Sequence, residues 1–304
     1  MTPSSIPAPL PVAPPIARAI DTGRLLISCP DGPGIVAAVT AFLLERGANI
    51  TQSDQYSTDP EGGSFFLRMV FHLGGLGEQL DELRAAFADE VAGRFAMTFT
   101  LSDASVPKRV AVMVSRMDHA LVDLLWRWRR GELDADFGVV VSNWPDLADE
   151  VAGFGLPYHH VPVTKDTKAQ AEAAQLELIG GGRYDVIVLA RYMQILTAGF
   201  LAGAGCPVIN IHHSFLPAFA GAGPYERAKE RGVKLIGATA HYVTEDLDEG
   251  PIIEQDVIRV THRDTAAELT QLGADIERTV LHRAVKWHCE DRVIVHGNTT
   301  VVFR

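Results

Sequence analysis

YDVIVLA (184–190) and CPVINIH (206–212) decide how the fold reads. Each is an almost unbroken apolar run of strand length, rich in β-branched residues. A strand with one wet face alternates; a strand buried on both faces reads like these. On the N-terminal side, RVAVMVS (109–115) and FGVVVSN (137–143) have the same character. DHALVDLLWRWRRG (118–131) and the stretch from Thr167 to Gly180 carry helical spacing between them. Apolar strands alternating with helices predict an α/β unit, a Rossmann-like, mostly parallel sheet covered on both faces, over residues 108–304. Ligands bind such sheets outside the carboxyl ends of the strands.

Residues 22–101 follow a different pattern. GRLLISC (23–29) reads as a strand and Asp31-Gly32-Pro33-Gly34 as a turn; Ile35, Val36, Val39, Phe42 and Leu43 then recur at helical spacing. ANITQSDQYS (48–57) and SFFLRMVFHL (64–73) are strands about a turn at Pro60–Gly63. Leu80, Leu83 and Phe87 mark a second helix, and RFAMTFTL (94–101) a last strand. The order is βαββαβ, a ferredoxin-like sandwich. SDASVP (102–107) reads as a linker. Residues 1–21 form a proline-rich tail, with six of the seventeen prolines before residue 21, expected to be extended and disordered.

Among 304 residues, 27 Lys and Arg face 38 Asp and Glu, a net charge of −11. That balance lacks the basic footprint of a nucleic-acid binder and disfavours an anionic membrane surface. No apolar run reaches the roughly 18–20 residues of a membrane span, and the first residues lack a basic segment followed by an apolar one. The three cysteines form no CxxC pair, so the expected compartment is a reducing cytoplasm.

The densest polar constellation lies in residues 206–253. CPVINIH delivers Asn210 and His212 to one side at its carboxyl end, by the two-residue period of a strand. LIGATAHYV (235–243) delivers His241, and the acidic loop TEDLDEG (244–250) places Asp248 just ahead of Gly250-Pro251. Taken singly, these are also the residues of a satisfied core histidine or a turn-fixing Asp. Together on neighbouring strand ends they suit attack on a carbonyl. Asn offers an uncharged donor to an oxyanion. A His exchanges a proton near neutral pH, and a carboxylate orients a water or a His. His159, His160, His212, His213, His241 and Asp248 are also metal-ligand types, but there is no HExxH or Cys/His zinc spacing and no GxSxG. The expectation is therefore neither a metal nor a cofactor.

VINIHHSFLPAF (208–219) and GATAHYVTEDLDEGPII (237–253) closely resemble the signature of the folate-dependent formyltransferase fold. Within that fold they resemble the 10-formyltetrahydrofolate deformylase family, hydrolases that release formate from the formyl folate. LARYMQIL (189–196), SRMDHALVDLLWRWRRGEL (115–133) and RVIVHGNTTVVF (292–303) resemble it too, and CPDGPGIVAAVTAFLLERGANI (29–50) resembles an ACT domain, its regulatory module. The resemblance implies that Asn210, His212 and Asp248 are the catalytic residues, with His241 beside them. It implies that the pterin lies against Arg191, Tyr192, Met193, Gln194, Ile195 and Leu196. It implies an amino-acid effector, glycine or methionine, near Asp31, Gly32, Pro33 and Gly34, and a homo-oligomer such as a tetramer. The folate is then the substrate, and the formate feeds purine synthesis.

Related glycinamide ribonucleotide transformylases carry a Gly-rich phosphate cradle after the first strand. Here that place reads VMVSRMDHALVD (112–123), without a glycine and with Asp118 and His119 in it. This favours water as the acceptor, with a phosphate-free amine acceptor, or an ACT-led amino-acid sensor, as alternatives. Trp144, Gly223 and Glu226 depart from the family's usual residues.

Overall fold

A computed structural model describes residues 19–217 and 224–304. All but the end of the proline-rich stretch, and Gly223, lie outside the described residues. The chain divides into two compact units. Of the described residues, one comprises Lys108–Lys286 and Gly297–Thr299; the other comprises residues 19–107 together with Trp287–His296 and Thr300–Arg304.

The smaller unit runs β1 (Thr22–Pro30), α1 (Ile35–Glu45), β2 (Asn49–Ser57), β3 (Ser64–His72), α2 (Leu76–Phe87) and β4 (Thr98–Asp103). Its antiparallel sheet has the order β2-β3-β1-β4, as a ferredoxin-like sandwich requires. Alternate residues Leu25, Ile27 and Cys29 of β1 and Phe65, Leu67, Met69 and Phe71 of β3 meet Ile35, Val39, Phe42, Leu76, Leu83 and Phe87 from the helices. Strand β4 continues through Ser102 and Asp103, opposite Arg24 and Gly23, so pairing runs into the stretch that reads as a linker. Ala104 is then buried and its N–H bonds the Thr22 carbonyl. The sheet takes up these residues because β1 still offers unpaired backbone opposite them.

β3 is buried on both sides, its apolar run over 65–71 interrupted only by Arg68. The second face is covered by C-terminal residues, which the sequence pattern groups with the α/β unit over 108–304. Leu26 and Phe66 pack on Ile294 and Phe303. Arg68 donates to the carbonyls of Glu290 and Asp291, and Arg24 to that of Cys289. The last carbonyl of α8 and the two just beyond it are thus met by arginine side chains, Arg68 buried and Arg24 partly so.

The larger unit runs β5 (Lys108–Val114), α3 (His119–Arg129), β6 (Ala135–Ser142), α4 (Ala148–Ala152), β7 (Tyr158–His160), α5 (Lys168–Ile179), β8 (Val186–Ala190), α6 (Ala198–Ala204) and β9 (Val208–His212). α7 (Pro224–Arg231), β10 (Leu235–Tyr242), β11 (Ile252–Arg259) and α8 (Ala266–Cys289) follow, α8 passing into the smaller unit, which also holds β12 (Val293–His296) and most of β13 (Thr299–Val302). The sheet order is β11-β10-β9-β8-β5-β6-β7. Strands β5 to β9 are parallel; β10 and β11 are antiparallel to their neighbours. All five residues of β8 are buried. Chain order reverses between β5 and β8, and a crevice at such a reversal is where open α/β sheets take their ligands. Among the described residues no helix is long and apolar enough to cross a membrane.

Candidate active site

A cleft of about 610 Å³ opens at the carboxyl ends of β8 and β9, and Asn210, His212, His241 and Asp248 all line it. Register brings the first three together: His241 lies opposite Asn210, and Thr239 opposite His212, on the antiparallel pair β9–β10. Asp248 arrives on the loop after β10 in the left-handed conformation, φ 58°, which Asp tolerates better than most residues. Gly250 ends that loop, where a Cβ would stand 1.8 Å from the Tyr242 carbonyl oxygen, so a larger residue there would displace it.

The hydrogen bonds fix the tautomers. His241 Nδ1 lies 3.0 Å from the Tyr242 carbonyl, which can only accept, so Nδ1 carries the proton. Its Nε2 lone pair then receives an N–H from the Asn210 amide at 3.2 Å. Asn210 is thereby oriented with one amide hydrogen still available. Asp248 Oδ1 lies 3.3 Å from His212 Nδ1 and 3.7 Å from His241 Nε2. With Nδ1 donating to the carboxylate, His212 Nε2 is left buried and without a hydrogen-bond partner among the described residues.

Electrostatics keep these groups in defined states. The hydrogen bond from His212 holds the Asp248 carboxyl below its usual range, against the opposing effect of burial. Burial lowers the His241 pKa, so its ring stays neutral. His213, stacked on His212 at 5.0 Å, is pushed down to about 4 by burial and then by the charge of Arg191. A neutral His241 and an ionised Asp248 carboxylate therefore coexist at neutral pH.

The segment after β8 forms another wall of the cleft. Arg191 and Met193 both have positive φ, 62° and 58°, which bend the chain out of the strand. Tyr192 and Leu196 are buried, whereas Met193 and Ile195 are exposed and Gln194 is half-buried, and all six residues line the cleft. The shape is held from α5: Gln175 donates to the Tyr192 hydroxyl at 2.6 Å, and Glu172 accepts from both the backbone and the hydroxyl of Thr197. From α8, Glu277 pairs with Arg191, His119 and Tyr225. Glu172, Gln175, Tyr225 and Glu277 did not emerge from the sequence. Asp118 makes no side-chain cap, and His119 is turned inward.

His159 and His160 sit on β7, four strands from β9, so the sheet separates them from the cleft histidines. Among the described residues no group of three His, Cys, Asp or Glu is arranged to hold a metal ion. Trp144 is on the surface with the Arg116 guanidinium 3.4 Å over its ring, and Glu226 lies on the cleft wall. In the smaller unit, Asp31 to Gly34 form the partly exposed connection into α1. Asp31 accepts from the Gly32 N–H and from Ser57, and Gly34, φ 91°, starts the helix without a side-chain cap.

Comparison with known proteins agrees with this architecture. Residues 108–285 match the formyl transferase family model, and residues 23–88 match the ACT domain. The chain is 60% identical over 283 residues to the formyltetrahydrofolate deformylase of Mycobacterium tuberculosis H37Rv, covering 93% of this chain and 91% of that one. It belongs to the formyltetrahydrofolate deformylase family. The deformylase of Bacillus subtilis 168 is 59% identical, over 93% of this chain and 94% of that one. The crystal structure of a deformylase of this family from Pseudomonas syringae pv. tomato superposes with a TM-score of 0.90 at 49% identity, covering 95% of this chain and 96% of that chain.

Proposed function

We propose that this chain hydrolyses 10-formyltetrahydrofolate to tetrahydrofolate and formate, with Asn210, His212, His241 and Asp248 as the catalytic group. The observation that carries the reading is the Asp248 carboxylate, facing two imidazoles and an oriented Asn amide at the bottom of one cleft. In this reading the pterin lies along residues 191–196, all of which line the cleft and two of which, Arg191 and Met193, bend the chain by positive φ. Water bound at Asp248 attacks the formyl carbon. The free Asn210 N–H donates to the oxyanion that forms. The proton shed by the water passes to the Asp248–His212 pair and on to N10. The C–N10 bond then breaks with its electron pair on nitrogen, which leaves as the amine. Formate departs as the anion with one proton released. Which imidazole passes the proton follows from hydrogen-bond occupancy: among the described residues His212 Nε2 has no partner, whereas both nitrogens of His241 are occupied.

The test is formate and tetrahydrofolate release from 10-formyltetrahydrofolate without any amine acceptor. Equal amounts of both are expected. Turnover that starts only when an amine is added would make the enzyme a transferase.

The open connection at Asp31–Gly34 is the proposed effector site, its unpaired backbone N–H groups at the start of α1 suiting an amino-acid carboxylate. Glycine or methionine at millimolar concentration is expected to shift turnover or melting temperature, and Asp31→Ala to remove the shift. No effect of either amino acid on the unaltered protein would exclude it. The exposed edges of β2 and β4 leave backbone for a second copy, in keeping with a homo-oligomer. The three free cysteines suit a reducing cytoplasm.

A further inference from the structure

We propose that Glu277 is a positioning residue for folate binding: one buried carboxylate on α8 ties Arg191, His119 and Tyr225 together and so fixes the turn against which the pterin lies. The inference rests on the deformylase reading of the cleft and adds to it a residue outside the catalytic group.

The geometry is that of a hub. Glu277 is 1% exposed. Its Oε2 lies 2.8 Å from His119 Nε2 and 3.5 Å from Arg191 Nε, and its Oε1 accepts from the Tyr225 hydroxyl at 3.0 Å. The three partners come from different parts of the unit: the start of α3, the segment after β8 and the start of α7. Burial opposes ionisation of Glu277, but the His119 hydrogen bond and the Arg191 charge outweigh it and hold the carboxyl below its usual range.

Two features show what the hub holds in place. Arg191 has a left-handed backbone, which a long side chain seldom adopts, and such a conformation persists only where its surroundings enforce it. Its guanidinium is largely buried, and neither Nε nor Nη1 has a hydrogen-bond partner among the described residues, so the nearby Glu277 carboxylate supplies counter-charge rather than a hydrogen bond. The second feature is Gly273, one turn before Glu277. A Cβ there would lie 1.9 Å from the Tyr225 hydroxyl oxygen. The helix thus accepts a weak helix former so that Tyr225 can cross it and reach Glu277.

Glu277 itself does not line the cleft, whereas Arg191 and Tyr225 do. Its loss should therefore weaken binding far more than it slows chemistry. Because Glu277 acts on the turn through Arg191, the two residues should behave as one unit. The experiment is a double-mutant cycle of Glu277→Gln, Arg191→Met and the double variant. Tetrahydrofolate binding is read by calorimetry, and KM and kcat are read separately with the formyl folate.

Each single variant is expected to weaken tetrahydrofolate binding and raise KM about tenfold, with kcat within about threefold, and the double variant to be no weaker than either single one. The double variant leaves no unpaired buried charge, so it keeps the test available if a single variant fails to fold. Unchanged tetrahydrofolate binding in a folded Glu277→Gln protein would overturn the proposal. So would a roughly hundredfold loss in the double variant, the additive value for independent roles. Calorimetry needs no turnover, so an unaltered protein that binds tetrahydrofolate but releases no formate would refute the hydrolase reading separately.

Discussion

Asp248→Asn is expected to hydrolyse the formyl folate about 10²–10⁴-fold more slowly in kcat, the range for loss of a positioned acid or base, with KM nearly unchanged. The substitution separates charge from shape. Asp248 sits at φ 58°, and Asn is as much at home in the left-handed region as Asp, so the loop and the Gly250 turn should keep their form. What disappears is the negative charge that faces His212 Nδ1 at 3.3 Å and that, in the proposed mechanism, binds the attacking water.

The pH profile of the unaltered enzyme gives the same assignment from another side. Activity on the acid side is lost when Asp248 or His241 takes up a proton. The His212 hydrogen bond lowers the Asp248 pKa and burial lowers that of His241. Both shifts are downward, so the part of the acid limb that Asp248 and His241 set should fall below the pH of about 6.5 at which a free imidazole would titrate. An Asp248→Asn enzyme with kcat within threefold of the unaltered one would exclude the carboxylate from the reaction.

The fold was legible in the sequence where one physical signal dominated. Unbroken apolar runs such as YDVIVLA had to be strands covered on both sides, and β8 is buried throughout. The period of two in VINIH put Asn210 and His212 on one side, and the register with β10 sets His241 opposite Asn210. What the sequence hid was long-range. SFFLRMVFHL is apolar at successive positions, yet nothing local says that the second face is covered by Ile294 and Phe303, more than 200 residues away. Glu277 and Gln175 left a faint trace. Gln175 falls between buried Ala171 and Ile179 at intervals of four, and Glu277 stands four residues before buried Leu281. A polar residue on an apolar helical stripe needs a partner, but the stripe cannot name it. Arg191 and Tyr225 are reached only through tertiary packing.

Asn210 carries the second large effect. Asn210→Ala should lower kcat by about 10²–10³, the loss typical of one oxyanion donor, because the remaining amide hydrogen is the uncharged donor placed for the developing charge. It also strips His241 Nε2 of the N–H it receives at 3.2 Å, but His241 lines the cleft, where water can replace the donor. The fold should therefore survive. Asn210→Asp makes the sharper comparison. It keeps the shape, removes both amide hydrogens and sets a second carboxylate near Asp248, where an oxyanion must form. If Asn210 works by donating to that oxyanion, the Asp variant must be slower than the Ala variant, although it is the closer isostere. If Asn210 serves only to orient His241, the Asp variant falls no further than the Ala variant, because both lose the same N–H to His241 Nε2. Turnover near that of the unaltered enzyme in both would remove Asn210 from the chemistry altogether.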